Sequence, residues 1–351
     1  MQIYGATFGW PLFVGAACSG YRGCMSMAQA WRWVAAGAAG LLLGACGGGG
    51  ESATLSGPTP TVQESQCLAA GWQRLVIEAG GLQRTVLWKA PAAGWTRGAV
   101  VVLHGGGGQH ANFCVANVSS IGPQVRFTEQ ALAQGHAVFL PDSSDRVSDN
   151  GGRLCGKVWD DEVRARPNLD LPFLEQLLRV SIPALRPAGS RAEVFMVGHS
   201  SGGYMTVRAA TRLSDLIKAF APVASGDPYG WFRDCSPRAT DRVNVFGAGF
   251  DSETRRQIIE PDACAAASYP NEQPWDGASA AVRPAWRAFH HVQDGINDLS
   301  CVLKVSAQLR ARGYPETPAL RLDGGGRSAE AHAWQDGYNA PLLDFFAAQL
   351  R

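Results

Sequence analysis

The chain predicts an α/β domain, a mostly parallel central sheet with helices on both faces. Three observations carry this. Short apolar runs alternate with stretches of helical period through most of the chain, the pattern of strand–helix–strand units. The central runs, such as "GAVVVLHG" (98–105) and "EVFMVG" (193–198), are apolar at almost every position, as strands covered on two faces must be. Hydrophobic residues make up 46% and charged residues 17% of 351 residues, enough for one large core.

In chain order the strand candidates are 74–79, 84–90, 98–105, 136–142, 193–198, 219–225, 286–292 and 319–324. Helical segments fall between and after them at 127–135, 169–185, 201–214, 299–313 and 340–351. Residues 226–285 separate two of the strands and are rich in Pro, Gly, Trp and Asp. So long a connection is uncommon unless it is functional, so it is expected to be a lid-like insertion beside the site.

The N-terminus reads as targeting sequence. "MAQAWRWVAAGAAGLLLGAC" (27–46) places Arg32 before an apolar, small-residue run that ends at Cys46, the layout of a secretory signal. It resembles the bacterial lipoprotein signal, which implies cleavage before Cys46 and its lipidation. Residues 1–46 are then a signal segment whose true start is Met25 or Met27, and 47–68 are a flexible Gly/Ser/Pro/Thr-rich tether. Residues 69–351 are expected to form the folded domain, exported either as a lipoprotein of the cell envelope (periplasm or outer membrane), meeting a membrane only through its acyl chains, or as a secreted protein. A net charge of +1 leaves no field to attract nucleic acid. Six cysteines remain after 46, an even number that favours disulfides in an oxidising compartment, with Cys235–Cys264 as the expected local pair.

The chemistry gathers at two glycine-rich turns. "VFMVGHSSGGYMT" (194–206) runs from an apolar strand through Gly198-His199-Ser200-Ser201-Gly202 into a helical segment. This G-x-S-x-G in a strand–turn–helix setting is a nucleophile elbow, whose glycines clear room around a strained backbone. The register selects Ser200 as nucleophile and leaves Ser201 to offer its backbone N–H to an oxyanion. "VVVLHGGGGQ" (100–109) ends a second strand in His104 and a glycine run, where a backbone N–H of Gly105 or Gly106 can meet a substrate carbonyl. A phosphate loop is the rival for that run, but no G-K-[ST] follows it.

The motifs "LHGGGG", "GHSSGGYMT", "DGINDLSC" and "AHAWQ" resemble those of α/β hydrolases, in particular the secreted polyhydroxybutyrate depolymerase and feruloyl esterase-like group. The resemblance implies an α/β-hydrolase fold and a Ser…Asp…His order along the chain. His332 in "DGGGRSAEAHAWQDG" is the only histidine after His291 and fits the base. Asp294 and Asp298 both follow a late strand; "GIND" resembles an H-G-x-x-D pattern and so favours Asp298, with Asp294 second and Asp251 third. A metal cluster on His290 and His291 is disfavoured, because adjacent strand residues face opposite ways. His104, His199 and Trp334 are expected to line the substrate site, with Trp231, Phe232, Trp275 and Trp286 as further members of an aromatic platform.

The expectation is thus an esterase acting through an acyl-enzyme on polyester or feruloyl-type esters, possessing a Ser200–His332–Asp298 triad and needing no metal or organic cofactor. A serine peptidase of the same fold and a non-catalytic envelope lipoprotein are the alternatives.

Overall fold

The computed structural model describes residues 58–351, apart from 117–120, 149–153, 164–165, 230–249, 252–255, 258–274, 278–281, 326–327 and 329. The signal segment, Cys46, Trp231, Phe232 and the expected Cys235–Cys264 pair lie outside the described residues.

The elements run α1 (Val62–Ala69), β1 (Gln73–Ala79), β2 (Leu82–Lys89), β3 (Ala99–Leu103), α2 (Gly122–Ala133), β4 (Ala137–Pro141), β5 (Ser144–Ser148) and β6 (Leu154–Val158). They continue through α3 (Leu171–Gln176), a π turn (Leu177–Ser181), α4 (Ile182–Leu185), β7 (Val194–His199), α5 (Ser201–Arg212) and β8 (Ala219–Val223). Then come β9 (Phe250–Asp251), β10 (Arg256–Gln257), β11 (Ala285–Trp286), β12 (Phe289–His291), α6 (Leu299–Ala311), β13 (Leu320–Leu322) and α7 (Asp336–Ala348). Single 3-10 turns at His110–Phe113 and Glu330–His332 carry two of the histidines discussed below.

Among the described residues the main sheet is ordered β1-β2-β4-β3-β7-β8-β12-β13, with β11 also on β8. Only the β1–β2 and β2–β4 pairs are antiparallel. This is the expected α/β-hydrolase architecture. Residues alternate between two cores, so both faces of the central strands are apolar. Val101, Leu103, Met196 and Phe220 pack with α3, α5 and α6, while Val100, Val102, Phe195 and Val197 pack with α2 and α7. Each fully buried side chain of this size contributes roughly 1.5–3 kcal/mol, which is why these runs tolerate no polar break.

The order β4-β3-β7 places the site. The chain leaves β3 to pair β4 on one side and later pairs β7 on the other, so the crevice beyond the strand ends opens at β3 and β7. Leu103 is opposite Gly198 in this pairing, which sets His104 and His199 next to one another.

Two departures concern the edges. The expected tether boundary at residue 68 falls too late: Val62–Ala69 is a helix closed by a capping box, with Thr61 Oγ1 accepting the Glu64 N–H (3.1 Å) and Glu64 returning the bond to the Thr61 N–H (2.7 Å). Cys67 in this helix is buried and disulfide-bonded to Cys114. The β5–β6 hairpin is also unforeseen: "SDRVS" holds a single apolar residue and "LCGKV" is interrupted by Gly156 and Lys157. Cys155 and Cys301 are disulfide-bonded as well.

Candidate active site

Ser200 sits between β7 and α5 with φ 53° and ψ −121°, a left-handed backbone that a non-glycine residue adopts only when its surroundings enforce it. Its N–H donates to Val223 O of β8 (2.9 Å), and its carbonyl accepts the N–H groups of Gly203 (2.8 Å) and Tyr204 (3.0 Å). The glycines either side are obligatory. A Cβ on Gly198 would overlap the Gly202 carbonyl, and one on Gly202 would overlap the carbonyls of Leu103 and His104. Helix α5 therefore packs its first turn directly on the β3 end.

His332 Nε2 is 2.9 Å from Ser200 Oγ, and His332 Nδ1 is 2.8 Å from Asp294 Oδ2. The acid facing the histidine is Asp294 and not the favoured Asp298. Asp294 is fully buried, and its other oxygen, Oδ1, accepts the N–H groups of Ile296 (2.8 Å) and Asn297 (2.9 Å). That turn locks the carboxylate toward the histidine loop, to which Gly295 N–H also bonds at Ser328 O (2.8 Å). Asp298, four residues on, is carried past the turn to the N-cap of α6. Asp251 lies in β9. Burial alone would raise the Asp294 carboxyl, but the charge and hydrogen bond of His332 outweigh it and hold the group below the usual carboxylate range.

The glycine run stands beside the serine. A Cβ on Gly105 would lie 2.8 Å from His199 Nδ1 and 3.5 Å from Ser200 Cβ, so any larger residue there has to displace the His199 ring or the loop. The Gly105 carbonyl accepts from His104 Nδ1 (2.7 Å) and from the Gly108 N–H (3.0 Å). Across a trans peptide the Gly106 N–H points the opposite way. Ser201 opens α5, where first-turn N–H groups have no intrahelical acceptor.

Three residues expected to touch substrate serve instead as buried supports. His104 is buried and bonds the Gly105 carbonyl, the Ser143 N–H (3.1 Å) and the Trp159 indole, whose Nε1 donates to His104 O (2.8 Å). His199 donates from Nε2 to His332 O (2.7 Å); burial first, then the His332 charge, pushes it down to about 4, so it stays neutral. Trp334 packs edge-on to Phe113 and against Phe127, with its Nε1 bonded to Asn339 Oδ1 (2.7 Å). Trp286 is likewise fully buried, against Phe220, and Trp275 packs on Tyr229 and Arg312. Trp286 and Trp334 are thus core side chains, while Trp275 is half-buried at the core's edge.

Trp159 was not legible from the sequence. Its backbone N–H donates to Ser201 Oγ (3.1 Å) while its indole holds His104, so one residue ties the elbow to the glycine loop. Tyr204 is similar: its hydroxyl bonds Asn297 Oδ1 (3.1 Å), linking α5 to the turn that carries Asp294.

A serine on a strand–helix elbow, met by a histidine and a carboxylate from loops after later strands of a parallel sheet, defines the α/β-hydrolase class. The chain belongs to the Alpha/beta hydrolase family, whose model matches residues 100–346. Its fold is similar to that of the Pyrococcus horikoshii acylaminoacyl peptidase (16% identity, 80% of this chain and 41% of that one, TM-score 0.49). It is similar also to Est1E from Butyrivibrio proteoclasticus (15% identity, 79% and 98%, TM-score 0.47) and to naproxen esterase from Bacillus subtilis (14%, 82% and 100%, TM-score 0.44). The chain thus spans about two fifths of the length of the peptidase. No curated protein matches it.

Proposed function

We propose that this chain is a serine hydrolase of carboxylic esters. The observation that carries the proposal is the line of two hydrogen bonds from Ser200 through His332 to the buried Asp294. His332 Nε2 takes the Ser200 proton as Oγ attacks the acyl carbon, and Asp294 holds the Nδ1 tautomer and stabilises the imidazolium. The N–H of Ser201 and the Gly106 N–H receive the oxyanion, the latter because the Gly105 carbonyl is pinned in the opposite direction. His332 then protonates the departing alcohol, and water, activated by the same histidine, releases the acid. The motif resemblance supports short-chain polyesters or feruloyl esters as substrates, and the Cys46 segment supports an exported, acyl-tethered enzyme.

The test is a panel of p-nitrophenyl esters with wild type and Ser200→Ala. Hydrolysis of short acyl chains, abolished in Ser200→Ala, is expected; full activity in that variant rejects the mechanism. Clearing of polyhydroxybutyrate against release of ferulate separates the two ester classes, and cleavage of peptidyl anilides instead of esters would replace both. An unmodified mature N-terminus in mass spectrometry would reject the acyl anchor.

A further inference from the structure

The glycine run 105–108 has no side chains with which to hold its own position. It is held from its two flanks, and both flanking histidines come to one carboxylate. His104 Nε2 and His110 Nδ1 lie 3.1 Å and 3.0 Å from Asp142 Oδ1, just beyond β4. The same oxygen accepts the His110 backbone N–H (3.1 Å). On its other side His110 Nε2 bonds Glu64 Oε1 (3.0 Å) in α1. Asp142 Oδ2 takes Lys157 Nζ from β6, and the Lys157 carbonyl accepts the Gly107 N–H (2.8 Å), so β6 grips the middle of the run.

The protonation states follow from this geometry. His104 accepts the Ser143 N–H at Nε2, so its proton sits on Nδ1, facing the Gly105 carbonyl. His110 differs. Both of its ring nitrogens lie 3.0 Å from a carboxylate oxygen, Nε2 at Glu64 and Nδ1 at Asp142, whereas His104 meets a carbonyl at one nitrogen and an N–H at the other. The imidazolium suits both carboxylates, and it balances a partly buried group of Glu64, Asp142, His110 and Lys157, with Arg74 reaching Glu64 (3.4 Å) and Arg84 bonding the Asp142 carbonyl (2.6 Å). Burial alone would lower His110, but Asp142 and Glu64 outweigh it and raise its pKa.

We propose that His110, bridging Asp142 and Glu64, is a positioning residue that fixes the oxyanion loop, so that its loss removes transition-state stabilisation while substrate binding is kept. The inference rests on the serine-hydrolase function proposed above. A loop amide moved by about 1 Å costs on the order of 100-fold in rate, and loss of one oxyanion donor costs about 100–1,000-fold. The bridge also makes the loop depend on pH: once His110 loses its proton, one carboxylate contact turns repulsive.

The experiment compares wild type, His110→Gln and Glu64→Gln with a p-nitrophenyl ester and an alkyl trifluoromethyl ketone, which forms an oxyanion adduct with the serine. In His110→Gln, kcat is expected to fall about 10–100-fold with KM within about threefold, and the ketone Ki to weaken by the same factor as kcat/KM. Glu64→Gln, the variant that carries the test if His110→Gln does not fold, loses about 3–10-fold in kcat. Removing the Glu64 charge lowers the His110 pKa, so the alkaline fall in kcat starts at lower pH than in wild type. Unchanged kcat and Ki in folded variants, or identical pH profiles for wild type and Glu64→Gln, would overturn the clamp. Wild type that neither cleaves the ester nor reacts with a fluorophosphonate would overturn the serine-hydrolase function itself, and the clamp with it.

Discussion

His332 Nδ1 donates to Asp294 Oδ2 across 2.8 Å, and the other oxygen of that carboxylate is held by two backbone N–H groups of its own turn. The acid is therefore oriented before any substrate arrives. Asp294→Asn is expected to lower kcat about 10³–10⁴-fold, because an amide stabilises the wrong histidine tautomer. Asp298→Asn should stay within about threefold, since the two ring nitrogens of His332 are already taken by Asp294 and Ser200 and the substitution keeps the side chain's size. Steady-state kinetics on one ester decide between them; a greater loss in Asp298→Asn would return the acid to the position the sequence favoured.

Gly105 faces the nucleophile so closely that a methyl group there meets His199 Nδ1 at 2.8 Å and Ser200 Cβ at 3.5 Å. Gly105→Ala should leave the fold intact, at a cost of about 1–3 kcal/mol in stability. Its kcat should fall about 10–100-fold as the loop is pushed away from Ser200. Denaturant melts and kinetics on the same preparation check both. Undiminished kcat would mean that the loop does not shape the reacting geometry.

The parts of the site that were legible from sequence are those with a local cause. The Ser200 elbow needs glycines at fixed offsets from its serine, and His332 stands alone at the right place in the chain order. The choice between Asp294 and Asp298 depends on how one five-residue turn curls, and composition does not encode that. The same holds for His104, His199 and Trp334. Their closeness to the site was readable, but whether each side chain faces the crevice or the core is decided by packing partners far away in sequence, such as Trp159, Phe113 and Phe127. Helix α1 was missed for a related reason. "VQESQCLA" has a weak apolar face and is held by its capping box, the Cys67–Cys114 bond and the Glu64–His110 contact.

The Cys67–Cys114 disulfide closes a separation of 47 residues. Chain-entropy reasoning gives about 4 kcal/mol for a loop of that size. It also fastens α1 beside the turn that holds His110. The double variant Cys67→Ala/Cys114→Ala should lose about 2–4 kcal/mol in urea unfolding. A reducing agent should lower the stability of wild type and leave that of the double variant nearer its starting value. Equal stability of the two proteins under oxidising conditions would contradict this.

Acid should weaken the fold through histidines held neutral. His136, His199 and His290 are buried and pushed down to about 4, burial being the first cause in each. The Arg97 backbone beside His136 and the Asp294 carboxylate near His290 favour the charged rings but do not outweigh burial. Their folded pKa lies below the unfolded value of about 6.5, so the unfolded chain takes up protons first as pH falls. Stability from these groups is complete above pH 6.5 and is lost between 6.5 and 4. At full uptake each proton contributes a slope of about 1.4 kcal/mol per pH unit, so the three together approach 4 kcal/mol per unit in mid-window. His110 has the opposite sign: its raised pKa contributes stability below its unfolded value that is lost as pH rises through the folded one. Urea unfolding at pH 7, 5.5 and 4.5 measures the acid slope. In His136→Phe that slope should be shallower by about one proton, whatever the absolute stability of the variant. An unchanged slope would mean that His136 takes up its proton equally readily in the folded and unfolded chain.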